Sequence, residues 1–327
     1  MPDNTMIAVD KVGNKIRFYD ADIKEMKVID GPEPCVHELA MAPDRRTAYI
    51  PLYGDGIYSN NKNPNNKVLA IDLERQEIAD IIALGEYVAP HGMAATRDGK
   101  LWVTCDIPNK LLCIDLATRS VEAVYDNPSK GGHMLEKLPD ESKLYISAKE
   151  GPLGAFDLAK RAYTATVPLA APGVTSGNGA GSEGLTSTAD SRRVIVCDND
   201  TTALRVIDTA SDTEIERVQL QPFVFTNRKR SRMAKAGLSR DGKYLAAVSY
   251  ASALAWVIDA NDLSDQTMIP VAKGPMGMSF PPDGKSVLIT SHDSGLLTRI
   301  DLASRRAVAG YDGGVGIEVM AWYERAA

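Results

Sequence analysis

The chain has 327 residues, of which 44% are hydrophobic and 24% are charged, and its formal net charge at neutral pH is −6. This composition is that of a globular protein with a full hydrophobic core. The acidic balance argues against nucleic acid and against an anionic membrane as partners, because binding to phosphate groups usually requires a basic face. We expect neither of these partners, and the residues discussed below favour a small molecule as the ligand. The sequence carries no signature of an oligomeric state.

The N-terminal segment and the cysteines indicate a cytoplasmic protein. The opening MPDNTMIAVDKVGNK lacks the basic region and apolar stretch of a signal peptide. If a leader precedes this sequence, the expected compartment is the periplasm instead. The cysteines form no CxxC pair and no disulfide-scaffold spacing, so we expect reduced thiols. No apolar segment is long enough to span a bilayer.

A repeat of two short apolar strands around an Asp-containing turn runs through the chain. Its six copies are CVHELAMAPDRRTAYIPL, APHGMAATRDGKLWVTC, GGHMLEKLPDESKLYIS, GSEGLTSTADSRRVIVC, MAKAGLSRDGKYLAAVS and GPMGMSFPPDGKSVLIT. An Asp-Gly or Asp-polar turn between such runs predicts a β-hairpin. Each hairpin is followed by a third strand ending in Asp and by a short fourth strand. We expect these recurring Asp side chains to cap turns, at Asp72, Asp115, Asp157, Asp208, Asp259 and Asp301.

Repeated four-stranded antiparallel units predict the blades of a β-propeller. The N-terminal stretch supplies three strands without a first one, and the C-terminal GIEVMAWYE supplies a first strand alone. Joining them makes a seventh blade and removes exposed sheet edges. We therefore predict an all-β, seven-bladed β-propeller whose last blade is closed by the C-terminal strand plus the three N-terminal strands. The predicted single domain is 1–327, with blades at about 1–31 with 315–327, 32–86, 87–128, 129–172, 173–222, 223–273 and 274–314.

Three histidines occupy one position in three consecutive repeats. His37, His91 and His133 each precede the Asp of the hairpin turn by the same number of residues. Glu183 holds this position in the next repeat and, by a looser alignment, Glu318 holds it in the closing blade. Equivalent positions of a closed repeat fold converge around one axis. The sequence therefore predicts a His/His/His/Glu cluster at one mouth of the propeller channel.

The ends of the second strands are expected to meet at the same mouth. They add Tyr53, Asp106, Asp198, Tyr250 and His292. A polar insertion before the sixth blade adds basic residues that could gather an anionic substrate. The residues predicted to bind substrate are His37, Glu318, His292, Tyr53, Tyr250, Arg228 and Arg230.

Two chemistries fit this cluster. Three imidazoles and a carboxylate suit one divalent ion, Zn, Fe or Mn, and His37, His91, His133 and Glu183 would be its ligands. Alternatively, a His and a Glu across the mouth could transfer a proton between substrate atoms without a metal. Neither a nucleotide nor a flavin is expected, because GNGAGS lacks the context of a phosphate loop.

The segment PHGMAATRDGKLWVTC resembles the repeat known by its YVTN consensus, and the resemblance covers essentially the whole chain. This repeat group is similar in architecture to the seven-bladed lactonases and carboxymuconate-lactonising enzymes. The resemblance implies a proton-transferring His and Glu, which His133 and Glu183 match. In those enzymes arginines hold the substrate carboxylates. The arginines of this chain at Arg228, Arg230 and Arg232 lie in an insertion that aligns with no family motif.

We expect an enzyme that acts on a small oxygenated, anionic metabolite by lactone hydrolysis or related lyase or isomerase chemistry. The predicted catalytic residues are His133, Glu183 and His91. The alternative is a non-catalytic binding module or redox-enzyme subunit that presents a propeller face to a protein.

Overall fold

The computed structural model describes residues 3–169, 181–199, 201–221 and 233–325. Strands make up all of its regular structure, and the described residues include no helix that could span a membrane. The strands are β1 Asp3–Asp10, β2 Lys15–Tyr19, β3 Glu25–Asp30, β4 Ala40–Met41, β5 Thr47–Gly54, β6 Pro64–Asp72, β7 Glu77–Ala83, β8 Val88–Ala95, β9 Lys100–Ile107, β10 Lys110–Asp115, β11 Ser120–Asp126, β12 Lys130–Lys137, β13 Lys143–Glu150, β14 Leu153–Asp157, β15 Ala162–Val167, β16 Ser182–Ser187, β17 Arg193–Asp198, β18 Ala203–Asp208, β19 Thr213–Gln219, β20 Met233–Leu238, β21 Tyr244–Ser249, β22 Leu254–Asp259, β23 Asp262–Pro270, β24 Pro275–Ser279, β25 Ser286–Ser291, β26 Leu296–Asp301, β27 Arg306–Asp312 and β28 Ile317–Arg325.

Over the described residues, these strands form seven four-stranded antiparallel sheets, which are the blades of a β-propeller. Six sheets contain consecutive strands, β4–β7, β8–β11, β12–β15, β16–β19, β20–β23 and β24–β27. The seventh has the order β28-β1-β2-β3, and Met6 is paired with Trp322. The predicted all-β propeller and its closing blade are therefore confirmed.

The described residues fall into two compact units. The first unit comprises 1–127 with 314–327 and contains the closing blade, β4–β7 and β8–β11. The second comprises 128–313 and contains the other four blades. The extent of the predicted single domain stays a prediction.

Within each unit, the core lies between neighbouring sheets. Most second and third strands are largely apolar, and in several of them both faces are buried, as in TAYIPLYG of β5. Fourth strands such as EIADIIA of β7 and SVEAVYD of β11 alternate between more and less exposed residues, because only one of their faces packs on the core. In the second unit, Trp256 fills the space between β16–β19 and β20–β23.

The recurring aspartates cap turns, as predicted. Asp72 Oδ1 accepts hydrogen bonds from the backbone N–H groups of Glu74 and Arg75. The same arrangement recurs at Asp115, Asp157, Asp208, Asp259 and Asp301. These bonds satisfy backbone donors in the turn between the third and fourth strands, so the aspartates are structural.

Candidate functional site

Every described blade carries one extra residue at the same place in its first strand. The ladder of β8 and β9, for example, pairs Pro90 with Cys105 and then shifts by one residue before Met93 pairs with Val103. Such a β-bulge re-aims side chains that would otherwise follow strict alternation. In each blade, one residue of the first strand is paired with the second strand just before the bulge. We call the residue that follows this paired residue the bulge position. The bulge positions are His37, His91, His133, Glu183, Ala234, Met276 and Glu318.

Hydroxyl groups on the second strand hold several of these bulges. The N–H of Gly92 donates to Thr104 Oγ1 at 2.9 Å, and the N–H of Met134 donates to Ser147 Oγ at 2.9 Å. In β24, the N–H of Gly277 donates to Thr290 Oγ1 at 2.8 Å. These bonds satisfy backbone donors that the interrupted ladder leaves over. They also explain the Ser or Thr near the end of the repeat's second strand.

Replacing Thr104 by Val is expected to lower the free energy of unfolding by about 1–3 kcal/mol, because the buried N–H of Gly92 loses its acceptor. Thr290→Val is the matched control, since it removes the same bond beside Met276. Chemical denaturation should show similar losses for both variants. The NMR signals of the His91 ring should change only with Thr104→Val. Unchanged stability in both variants would contradict this account of the bulge.

A second set of equivalent positions lies on the second strand of each blade. Each member directly follows the second-strand residue that is paired just before the bulge. We call them the second-strand positions. They are Lys11, Tyr53, Asp106, Lys149, Asn199, Tyr250 and His292. The register corrects the expectation for Asp198, which is paired with Ser182 and is itself buried in an ion pair with Arg205. It also adds Lys149, which the sequence reasoning missed.

In the first unit, the bulge positions of three blades are in contact. His37 Nδ1 lies 2.8 Å from Glu318 Oε2, and both side chains are buried. The rings of His37 and His91 meet edge to face with centroids 4.5 Å apart. This distance permits direct packing of two imidazoles. The looser alignment that placed Glu318 with the histidines therefore identified a neighbouring side chain.

Tyr53 completes this aromatic group. Its ring centroid lies 5.0 Å from that of His37 and 5.4 Å from that of His91. Its hydroxyl donates to Asp106 Oδ2 at 2.5 Å, and Lys11 Nζ lies 5.5 Å from its ring centroid. Burial, and then the Asp106 charge, raise the pKa of Tyr53 well above its usual value. The phenol therefore stays protonated and donates a hydrogen bond at physiological pH.

A group that could hold a metal ion lies at the same place. One donor atom from each of His37, Glu38 and His91 falls within 4.8 Å of the others. The group contains two of the four ligands predicted from the sequence, and it adds Glu38. The joint binding of one ion by all four predicted ligands stays a prediction.

In the second unit, Glu183 lies between an imidazole and an ammonium group. Its Oε2 is 3.1 Å from His133 Nε2, and its Oε1 accepts a hydrogen bond from Lys149 Nζ at 2.6 Å. The side chains of His133, Glu183 and Lys149 are only 10%, 8% and 12% exposed. At such burial a carboxylate requires partners, and here both of its oxygens have one. The structure thus brings together the His and Glu predicted to act as a pair.

His292 and Tyr250 meet at a residue that was not predicted, Asp293. His292 Nδ1 lies 2.9 Å from Asp293 Oδ1, and the Tyr250 hydroxyl lies 2.9 and 3.1 Å from the two carboxylate oxygens. Partial burial alone would raise the pKa of Asp293. Hydrogen bonds from His292 and Tyr250 outweigh this effect and hold the pKa below its usual value.

Asp293→Asn is expected to lower the free energy of unfolding at neutral pH by about 1–2 kcal/mol, because His292 and Tyr250 lose a charged acceptor and keep only an amide oxygen. A depressed folded-state pKa means that the carboxylate stabilises the fold above its unfolded pKa of about 4. This contribution is lost as the pH falls through the folded-state value. Urea denaturation should therefore show a difference between wild type and variant that is largest above pH 4 and shrinks below it. A difference independent of pH would contradict the role given to Asp293.

The remaining predicted substrate-binding residues, Arg228 and Arg230, lie outside the described residues. Among the bulge positions, Ala234 and Met276 carry no titratable group. The titratable predicted residues are thus found around Tyr53 in the first unit, and around Glu183 and Asp293 in the second.

Comparisons with known proteins bear on the fold. No protein-family model matches the chain, and no curated protein matches it. Among solved structures, hydrazine synthase of Kuenenia stuttgartiensis is similar, with a TM-score of 0.69 and 15% sequence identity. The similarity covers 88% of this chain and 91% of that chain. This likeness supports the seven-bladed propeller, and it is a likeness of fold alone.

Proposed function

We propose that this protein is an enzyme that acts on a small oxygenated, anionic metabolite by proton transfer, in lactone hydrolysis or related lyase or isomerase chemistry. The observation that carries the proposal is the group in which Glu183 contacts both His133 and Lys149. A His oriented by a carboxylate beside a buried ammonium group combines a proton carrier with an anion-binding charge.

His133 is the proposed proton carrier. Its Nε2 is next to Glu183, and this carboxylate stabilises the imidazolium formed when the ring accepts a proton. In lactone hydrolysis, the His133 imidazole takes a proton from the water that attacks the lactone carbonyl carbon. The bond between this carbon and the oxygen of the lactone ring then breaks. The imidazolium gives its proton to the leaving oxygen of the lactone, so that the enzyme ends in its starting state.

Lys149 is the proposed anion-binding group. An ammonium group has three donors, and one of them is directed to Glu183. The positive charge of this group would attract a substrate carboxylate held beside His133. Lys149 thus provides a charge of the kind expected from Arg228 and Arg230, whose predicted role in substrate binding stays a prediction. The resemblance to lactonising propellers supports the same division between a proton-transferring pair and a cationic substrate anchor.

The alternative, a non-catalytic binding module or redox-enzyme subunit, is favoured by a different observation. Val12, Ile107 and Val315 expose 60%, 49% and 50% of their surface at strand ends or loops of the first unit. Exposed aliphatic side chains suit a protein-binding face better than a small-anion site. This alternative predicts no turnover of any small molecule.

A panel of lactones tests the proposal, with hydrolysis followed as proton release at constant pH. We expect turnover of lactones that carry a carboxylate, and a much weaker response to neutral lactones of the same ring size. Lys149→Met should raise the KM for the carboxylated substrates by about 10-fold or more, the effect of losing one charge-assisted contact. Lys160→Met is the matched control, because Lys160 is an exposed lysine of the same unit. Absence of turnover and of binding across the panel would favour the alternative.

A further inference from the structure

We propose that His37, Glu38 and His91 bind one divalent transition-metal ion, and that Glu318 positions His37 for this role. The three donor atoms lie within 4.8 Å of one another in the first unit. The proposal goes beyond the proposed function, because it involves neither His133 nor Glu183.

The donor set suits Zn²⁺, Fe²⁺ or Mn²⁺. Two imidazoles and one carboxylate are ligands that these ions share, and a three-ligand site leaves coordination positions open for substrate or water. His37 and His91 are buried, whereas Glu38 is half-buried. Donors bound at about 2.1 Å lie roughly 3 to 4 Å apart, so small side-chain rotations would complete the set.

The local backbone explains how two consecutive residues can face the same ion. Successive side chains of a regular strand point to opposite faces. Between the bridge at Val36 and the start of β4 at Ala40, however, the chain is not a regular strand. His37 and Glu38 lie in this irregular stretch, so strict alternation does not separate their side chains. His91 lies in the corresponding bulge of the next blade.

Glu318 supplies the partner that a metal-binding imidazole usually has. Its Oε2 lies 2.8 Å from His37 Nδ1. The two atoms are close but not in hydrogen-bond geometry, so a small rotation of the ring would complete the bond and leave Nε2 as the ring nitrogen for a metal. A carboxylate on the second nitrogen fixes the ring orientation and raises the basicity of the ligand. Glu318 is thus a positioning residue, and its loss should weaken metal binding without abolishing it.

Tyr53 supports the two imidazoles by packing against them. Its ring packs against both His37 and His91, and its hydroxyl is anchored to Asp106 at 2.5 Å. Packed and hydrogen-bonded supports of this kind pre-organise a metal site. The group in the second unit is less suited to a metal ion, because its one carboxylate, Glu183, already contacts both His133 and Lys149.

Titration of the purified full chain with Zn²⁺ by calorimetry, and with Co²⁺ by its visible absorption, tests the proposal. We expect one equivalent of metal in the wild type and at least 100-fold weaker binding in His91→Ala. Glu318→Gln should bind about 10–100-fold more weakly than the wild type. His133→Gln is the control and should bind as the wild type does. Circular dichroism and thermal melting establish that each variant is folded.

Wild-type binding that His91→Ala and Glu318→Gln leave unchanged would overturn the proposal, as would no binding at all. An equal loss in His133→Gln would also overturn it, because the ion would then belong to the four ligands predicted from the sequence. If Glu318→Gln alone binds like the wild type, the positioning role is wrong. Each of these results is independent of whether lactones are turned over, so the proposed function is tested separately.

Discussion

Arg205→Met is expected to lower the free energy of unfolding by about 3–5 kcal/mol, because it leaves a buried carboxylate without its counter-charge. Arg205 and Asp198 are each only 1% exposed. The guanidinium donates to Asp198 Oδ2 through Nε at 3.1 Å and through Nη2 at 2.7 Å, and to Glu214 through Nη1 at 2.7 Å. Removing one member of a buried ion pair lowers the free energy of unfolding by more than the intact pair raises it, because the other charge stays buried without a partner.

Two further variants test this reasoning. The double variant Asp198→Asn with Arg205→Met should recover part of the lost stability, because the uncompensated charge is gone. The closing blade holds a matched arrangement, in which Arg17 binds Asp10 and Glu25. Asp10 is 1% exposed, as Asp198 is, but Arg17 is 18% exposed, so water can reach the carboxylate more easily once the guanidinium is removed. Arg17→Met should therefore lower the free energy of unfolding by less than Arg205→Met does. Denaturation in urea measures all three. Equal losses for Arg17→Met and Arg205→Met would show that the exposure of the arginine does not set the cost.

His133→Gln is expected to lower kcat for a lactone substrate by about 10²–10⁴-fold, the range for removing a positioned general base. The Gln side-chain amide fills a space similar to that of the imidazole but cannot accept and return a proton. The KM should change little, because Lys149 still offers its charge to the substrate. Lys149→Met should show the opposite division, with a raised KM and a smaller change in kcat.

The measurement is steady-state kinetics of the two variants beside the wild type, with His292→Gln as a control. His292 contacts Asp293 rather than Glu183. If His292→Gln loses as much kcat as His133→Gln does, the proton carrier has been assigned to the wrong histidine. Far-ultraviolet circular dichroism of each variant separates lost chemistry from lost folding.

The blades and their turns could be predicted because their signals are local. Alternation of apolar residues, an Asp at the hairpin and an Asp after the third strand each act within a few residues of chain. The capping bonds of Asp72 and Asp115 are contacts of this kind. Equivalence between repeats then placed His133 in the same position as Glu183 one blade later, and their side chains are in contact.

The remaining parts of the site depend on register, which short patterns do not encode. Glu38 was missed because alternation would turn it away from His37, whereas the chain there is not a regular strand. Lys149 was missed because the second-strand position could not be fixed without the ladder that pairs Gly132 with Ala148. The signal was available in principle, since Lys149 follows the second-strand Ser147 by the same spacing as Asp106 follows Thr104.

The most direct test of the proposed chemistry compares wild type with Glu183→Gln on the carboxylated lactones, at equal protein concentration and saturating substrate. Gln retains the size of the side chain but removes the charge that faces both His133 and Lys149. We predict that the wild type hydrolyses at least one such lactone catalytically and that Glu183→Gln is at least 100-fold slower. Equal rates in the two proteins would contradict the assignment of the reaction to this site.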